Sequence, residues 1–507
     1  MTATDRHFGR WEILFAGMVL ALGLAIRLWL ASVDYLNPDE IDIVLCALGS
    51  FSAMLHKSLT ITHPPMLETI SWVLCKFTRS ELALRMAPLL AGSLAPLLLC
   101  LWMRRLAGSV AAGVVLVLMT FSPGTIALSV EMRPYTLALF FVAASLLVLD
   151  YALESGRWQT MAFYSAVLWL CILADYSTAW FVGAAGVYVL LRWRGLPMRS
   201  RSVWAVGQLF ALLLYGAIFV IHASLYPDNN AMISDAIYGW LRVGFPQAGE
   251  KLVFPLTHTL GQLEFLLAAA PASWIGMAVF AVAIWLLWTG RTHVESGKAR
   301  ALAVLLALPF PLCLAAAYIH QFPYGPTRHT IMLGMLAASG LAIAIATLPK
   351  RTGLRLVWGM LLVAPLWSFA PGGDDIPRAS HKKWQVVQCL DYMRANLPPG
   401  TLIFSQRQVI SMLAYYSGFE QDMPWSVSRD HFSEVLLAGT WRVATRDYIY
   451  NTPQEFAAAM AAFRQEYGLT RGEPIWVLDG GWSVVAGPPD AKLPFTTGVR
   501  LLQDGNR

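Results

Sequence analysis

The sequence predicts a polytopic α-helical membrane protein with a small α/β domain after its last span. Three observations predict it. Of 507 residues, 57% are hydrophobic and only 13% are charged, where a soluble domain carries about a quarter charged residues. The apolar residues are gathered into long runs, and a helix needs about 20 of them to cross a bilayer. From about residue 371 onward these runs stop and ordinary charge density returns. A mean hydropathy of +0.54 excludes a disordered chain, a collagen-like fibre and a typical cytosolic enzyme. The 20 Trp and 17 Tyr suit the membrane–water interface. The net charge is +6 and the pI about 9.0. The basic residues lie in short loops between apolar runs, so they read as orientation signals, and no nucleic-acid partner is expected.

Trp11 to Val33 is the first span. It is too long for a signal-peptide core and no small-residue cleavage site follows, so it is expected to be retained. Further runs at 82–103, 107–123, 134–153, 158–174, 177–193, 203–225, 264–289, 300–319, 330–348 and 354–370 bring the expectation to about eleven spans. With Arg6 and Arg10 in the cytoplasm, the loops on that side hold Arg104-Arg105, Arg157, Arg192 to Arg201, Arg291 to Arg300 and Lys350-Arg351. The opposite loops hold Asp34, Asp39, Glu40, Asp42, Glu68, Glu131, Asp175, Asp228, Asp235 and Glu250. The Lys/Arg asymmetry is about two to one, and an odd span count puts the C-terminus outside. Residues 1–370 are thus expected to form the membrane domain of a multi-pass inner (plasma) membrane protein, with a first outer loop at 34–81.

Residues 371–507 are expected to form the extracytoplasmic domain, long enough for its own core. Trp384 to Asn396 has helical periodicity, Pro398-Pro399-Gly400 is a turn and Thr401 to Ser405 a short strand. Thr452 is placed to cap a helix opening at Pro453. Pro474 to Leu478 reads as a buried strand before Asp479-Gly480-Gly481. The six cysteines, Cys46, Cys75, Cys100, Cys171, Cys313 and Cys389, form no C-x-x-C pair, so neither structural zinc nor an essential disulfide is expected.

Candidate chemistry gathers in the outer loops. Asp39 and Glu40 follow the first span closely in Asn37-Pro38-Asp39-Glu40. A carboxylate there can act as general base or bind a cation, and the same four residues can cap the next helix. His63, before Pro64-Pro65, can hold a phosphate or move a proton, or simply precede a proline-started helix. Arg133 opens a span within Glu131-Met132-Arg133-Pro134-Tyr135; it suits a phosphate or an internal ion pair with Glu131. Arg328 and His329 begin another span from the outer side, against the orientation rule. An anionic lipid headgroup accounts for them, as does snorkelling to ordinary phospholipid. Arg27, inside the first span near its outer end, can neutralise the loop acids or face the same cavity. Asp175 and Tyr176 can be structural or line an acceptor site. No phosphate-binding Gly loop of the G-x-x-x-x-G-K type, H-E-x-x-H or G-x-S-x-G motif occurs, which argues against a nucleotide-driven pump.

Taken in order, Arg27, Pro38-Asp39-Glu40, His63-Pro64-Pro65-Met66 and Glu131 to Tyr135 resemble the motifs of the polytopic GT-C-fold glycosyltransferases. The nearest branch is the bacterial one related to protein O-mannosyltransferases and lipid A aminoarabinose transferases. The resemblance runs from about Arg27 to Tyr135 and returns at Arg328. It implies a GT-C-like membrane domain and transfer of a sugar from a polyprenyl-phosphate carrier, usually undecaprenyl phosphate, to an acceptor at the outer membrane face. It implies Asp39 as general base with Glu40 beside it, and Arg133 and Arg328 as holders of the carrier phosphate. His63 stands where the aminoarabinose branch has a lysine. Glu131, Tyr135, His329 and Arg27 are expected in support. The acceptor can be a lipid, a glycan or a protein, membrane lipids are partners, and a divalent metal ion is an option on which branches of the superfamily differ.

The competing reading is a secondary transporter or lipid flippase. It calls for charges near mid-membrane and paired broken helices, whereas here the charges cluster on one face and no internal repeat is found.

Overall fold

The computed structural model describes residues 9–58, 64–225, 241–369, 383–405, 407–418, 431–446, 453–470, 473–479 and 498–502. The chain divides into two compact units, residues 1–32 with 50–379, and residues 33–49 with 380–507. Segment 33–49, the expected start of the first outer loop, therefore groups with the tail.

The first unit is helical. It comprises α1 (Arg10–Val33) and, after α2 (Pro38–Ala47) of the other unit, α3 (Phe51–Ser58), α4 (Met66–Cys75), α5 (Glu81–Leu84) and α6 (Met86–Phe121). Then come α7 (Pro123–Val130), α8 (Tyr135–Ser155), α9 (Trp158–Ala174), α10 (Thr178–Leu191) and α11 (Met198–Leu225). The last six are α12 (Phe254–Leu267), α13 (Ala270–Thr289), α14 (Ser296–Ala307), α15 (Pro309–Tyr318), α16 (Ile331–Ala346) and α17 (Lys350–Trp367). Among the described residues, seven helical stretches are long and apolar enough to cross a membrane, and α4, α9 and α10 are shorter apolar helices. The protein is a multi-pass membrane protein.

The sequence expects two spans where α6 is one 36-residue element. Straight, it would be about 54 Å long, well beyond a hydrocarbon core of about 30 Å. It is not straight: Gly108 breaks it at φ 86° and ψ −170°. Contacts to α1 show that the chain reverses there. Arg85 donates to the Ala31 carbonyl at 2.9 Å, Arg104 pairs with Glu12 at 3.2 Å, and Arg27 donates to the Thr120 carbonyl at 2.9 Å. Residues 86–107 thus descend antiparallel to α1 and 109–121 climb back beside it, two limbs as expected.

Other contacts sort the loops into the same two ends. At one end Arg105 meets Asp150 at 2.9 Å, Lys298 meets Glu154 at 2.6 Å and Ser200 donates to the Gly156 carbonyl at 2.6 Å. At the other, Thr136 donates to Pro88 O at 2.9 Å, Ser122 to Leu266 O at 2.7 Å and Trp367 to Leu267 O at 2.8 Å. Between them helices approach through glycine: a Cβ at Gly353 would lie 2.7 Å from Val110, and one at Gly113 2.9 Å from Val357. Close backbone approach replaces the hydrophobic drive that lipid removes. The expected span 264–289 is instead broken after α12, where Ala268 is left-handed (φ 58°) and Pro271 opens α13.

The second unit is α/β. Among the described residues its five strands are β1 (Leu402–Ser405), β2 (Ser433–Leu437), β3 (Trp441–Thr445), β4 (Ile475–Asp479) and β5 (Gly498–Leu502), in the order β2-β3-β1-β4-β5. β1 runs parallel to β3 and β4, while β2 and β5 pair antiparallel at the edges. Among the described residues four helices accompany them, α2 and, from the tail, α18 (Lys383–Asn396), α19 (Arg407–Ser417) and α20 (Pro453–Glu466). Phe404, Phe432, Phe456 and Phe463 pack with Ile475 and Val477 into the core. The expected helices at 384–396 and from Pro453 and the strands at 401–405 and 474–478 are found. Thr452 and Gly480-Gly481 lie outside the described residues. The β2–β3 hairpin and β5, which complete the sheet, were not expected from the sequence.

Candidate active site

The candidate residues fall into two sets, one in each unit. In the first unit they meet at Tyr135. The motif turn follows α7: Arg133 N–H donates to the Glu131 carbonyl at 2.8 Å, Pro134 precedes the helix, and Tyr135 opens α8. Glu131 and Tyr135 are buried and Arg133 is half-buried. The Arg133 guanidinium carbon lies 5.7 Å from the Tyr135 ring centre, and its Nη2 is 3.5 Å from the Tyr135 hydroxyl. From far along the chain, Arg328 comes to 5.7 Å from the same ring centre. His329 meets the ring edge-on at 5.5 Å. Three residues singled out from the sequence therefore gather at the ring of a fourth.

The second pair is held there by a folded loop. Arg328 to Thr330 is a 3₁₀ turn entering α16. The buried Thr330 hydroxyl lies 2.8 Å from the Gly325 carbonyl and bonds to the Gln262 side chain. Tyr324 N–H donates to Gly244 O at 2.8 Å, and its hydroxyl sits 2.6 Å from Thr259 Oγ1. Gly325 has φ 126°, and a Cβ there would lie 2.7 Å from the His258 ring. Only glycine fits both the backbone conformation and the space. Two guanidiniums at one ring, with the buried Glu131 carboxylate in the same turn, offer donors of the kind that bind an anion with several oxygens.

Arg27 does something else. It is fully buried, and its Nη1 donates to Gly23 O at 3.1 Å and Thr120 O at 2.9 Å. Its hydrogen bonds go to backbone carbonyls and join α1 to the returning limb of α6, where the sequence expected it to meet loop acids or face a shared cavity. Arg85, which no sequence motif marks, is also buried and makes the corresponding bond to Ala31. In the sequence Glu68 is one of many loop acids. Glu68 is fully buried on α4, one turn before Ser71, so both share a helix face. The Ser71 hydroxyl reaches Met132 Sδ at 3.6 Å, next to Arg133. An acid inside the apolar run Met66–Cys75 was the available signal. His63 lies outside the described residues.

In the second unit, the structure shows the capping reading of Asn37-Pro38-Asp39-Glu40. Asn37 caps α2: its side chain accepts from Glu40 N–H at 3.0 Å, and Glu40 accepts from Asn37 N–H at 2.9 Å. This reciprocal capping box occupies Glu40, which is fully buried. Asp39, in the first turn after Pro38, is half-buried and takes no part in the box. Among the described residues no three His, Cys, Asp or Glu side chains gather as metal ligands.

Residues 62–221 match the family model described as dolichyl-phosphate-mannose-protein mannosyltransferase. This match agrees with the resemblance to protein mannosyltransferases read from the sequence. The matched stretch takes in Pro64-Pro65 and the whole Glu131-to-Tyr135 turn; Asp39 precedes it and Arg328 follows it. No curated protein matches the chain. Solved structures similar to it include three enzymes. The arabinosyltransferase EmbB from Mycobacterium smegmatis is 14% identical, with a TM-score of 0.43 over 69% of this chain and 31% of that one. The chain thus spans about a third of that protein's length. An oligosaccharyltransferase from Archaeoglobus fulgidus is 14% identical, with a TM-score of 0.48 over 91% of this chain and 68% of that one. ArnT from Cupriavidus metallidurans, solved with undecaprenyl phosphate, is 15% identical, with a TM-score of 0.37 over 92% of each chain.

Proposed function

We propose that this chain is an integral membrane glycosyltransferase. It moves a sugar from a polyprenyl-phosphate carrier to a lipid, glycan or protein acceptor at the outer face of the inner membrane. The N-terminus is cytoplasmic and the tail domain extracytoplasmic. The observation that carries this reading is the convergence of Arg133, Arg328 and His329 on Tyr135, a phosphate-type site at the end of an apolar helix bundle.

In the proposed reaction an acceptor oxygen or nitrogen attacks the anomeric carbon, its new bond forming as the bond from that carbon to the phosphate oxygen breaks. The electron pair leaves with the polyprenyl phosphate. Arg133 and Arg328 stabilise the charge that grows on the phosphate, with His63 and His329 in support. Phosphate is already a good leaving group, so no strong general acid is needed. Asp39 takes the acceptor proton as general base, and Glu40 fixes the helix that carries it. Attack opposite the leaving group inverts the anomeric centre. A divalent ion would add charge neutralisation at the phosphate or at Asp39, while these steps run through the chain's own residues.

The test is donor consumption by purified, lipid-reconstituted protein given a panel of polyprenyl-phosphate sugars and membrane extract. Arg133→Ala and Asp39→Asn are compared with wild type. Turnover by wild type that is lost in both variants supports the reading. Equal turnover in folded Arg133→Ala removes the phosphate site, and equal turnover in Asp39→Asn removes the base.

A further inference from the structure

We propose that the C-terminal domain is the seat of the first-loop helix, and that Tyr416 is a positioning residue for Asp39. This rests on Asp39 being the base. α2 has only ten residues, too few to persist alone, since isolated helices shorter than about 12–15 residues are marginal. It must be held by packing. Residues 33–49 form one compact unit with 380–507, and α2 packs on α19. Leu36, Ile41 and Val44 are fully buried.

Packing alone leaves a short helix free to slide or turn. A directional bond fixes its entry: Leu36 N–H donates to the Tyr416 hydroxyl of α19 at 2.7 Å. The next N–H, of Asn37, is taken by Glu40 at 2.9 Å. Pro38 has no N–H and a fixed φ, and the N–H of Glu40 returns to Asn37 at 3.0 Å. The backbone on both sides of Asp39 is therefore tied down, and the tie to another element is Tyr416. A general base works only within hydrogen-bond reach of its proton, and a misplacement of about 1 Å can cost a hundredfold in rate. The tail thus acts on catalysis by holding Asp39 in place.

The test uses the full-length protein in lipid nanodiscs and compares wild type, Tyr416→Phe and Asp39→Asn. Hydrogen exchange of residues 36–47 and turnover of undecaprenyl-phosphate sugars are both measured. Tyr416→Phe keeps the ring and removes only the acceptor oxygen. The expected result is faster exchange across 36–47 and a kcat lowered about tenfold, with the donor KM unchanged. Unchanged exchange in Tyr416→Phe overturns the anchor without reference to any donor. Faster exchange with wild-type kcat overturns the positioning role. Wild-type turnover by Asp39→Asn brings down the base reading and the catalytic meaning of Tyr416 with it, while exchange still decides whether α19 holds the helix.

Discussion

Tyr135 owes its place to its neighbours in sequence and in space. Its ring offers a negative face to two guanidiniums, and such cation–π contacts contribute about 0.5–1 kcal/mol each where exposed. Tyr135→Phe keeps that face and should change donor kinetics little, whereas Tyr135→Leu should loosen both arginines and raise the donor KM. Arg328→Ala should lower kcat/KM by roughly 10–100-fold, because a hydrogen bond to a charged group contributes about 1.5–3 kcal/mol. Lysine should rescue it only partly, having no planar fork. Steady-state kinetics on the reconstituted protein checks both. The neighbouring acids should separate. Glu40→Ala should lower the tail domain's stability by about 0.5–2 kcal/mol through loss of its half of the capping box, while Asp39→Asn should abolish turnover and change stability far less. Thermal unfolding and turnover measured on the same samples distinguish them. Arg133 and Tyr135 stand out in the sequence because they open a span together. Their meeting with Arg328 does not, because no local pattern links α8 to the turn before α16.

At the scale of elements, glycine decides two reversals. Gly108 lets α6 turn back at φ 86° with open space around its Cα. Gly325 allows the loop before Arg328 to pass over His258. Gly325→Ala should combine backbone strain of about 1–3 kcal/mol with a clash against the His258 ring, and so raise the donor KM by displacing Arg328. Gly249→Ala, at φ 90° with nothing within 4 Å, is the control for strain without the clash. Equal donor KM in the two variants would reject the role given to this loop. In the tail, the β2–β3 hairpin carries an ion pair, with Arg442 donating to Glu434 at 2.9 and 2.8 Å. This side-chain hydrogen bonding holds the Glu434 carboxyl below the usual carboxylate range. A lowered carboxyl pKa gives stability that is present above the unfolded value and lost as pH falls through the folded one. The pair is exposed, so its contribution is small. The stability gap between wild type and Glu434→Gln should therefore close on acidification below about pH 4, as acid unfolding curves would show.

At the scale of the whole molecule, the two units are not consecutive stretches of chain. The sequence divides at about residue 370, yet residues 33–49 join 380–507. The tail's buried side chains therefore include Leu36, Ile41 and Val44, each contributing about 1.5–3 kcal/mol by burial. A chain ending at residue 379 should lose donor turnover outright, because α2 loses the surface it packs on. A tail serving acceptor choice alone would leave donor hydrolysis intact in such a truncated protein, provided circular dichroism shows its helices retained.

The sequence by itself determined that the chain is a helical membrane protein, where most of its spans fall, that an α/β domain follows, and which charged residues stand at helix ends. These properties are carried by local hydropathy, period and charge, which a run of about 20 residues expresses without its neighbours. Only the tertiary structure decided that α6 folds back along α1, that Arg133 and Arg328 share Tyr135, that Glu68 is buried beside the motif turn, and that α2 rests on α19. Those outcomes come from packing between segments distant in sequence. Such packing depends on which surfaces fit and which N–H and C=O groups find partners, and neither is written in the pattern of one segment.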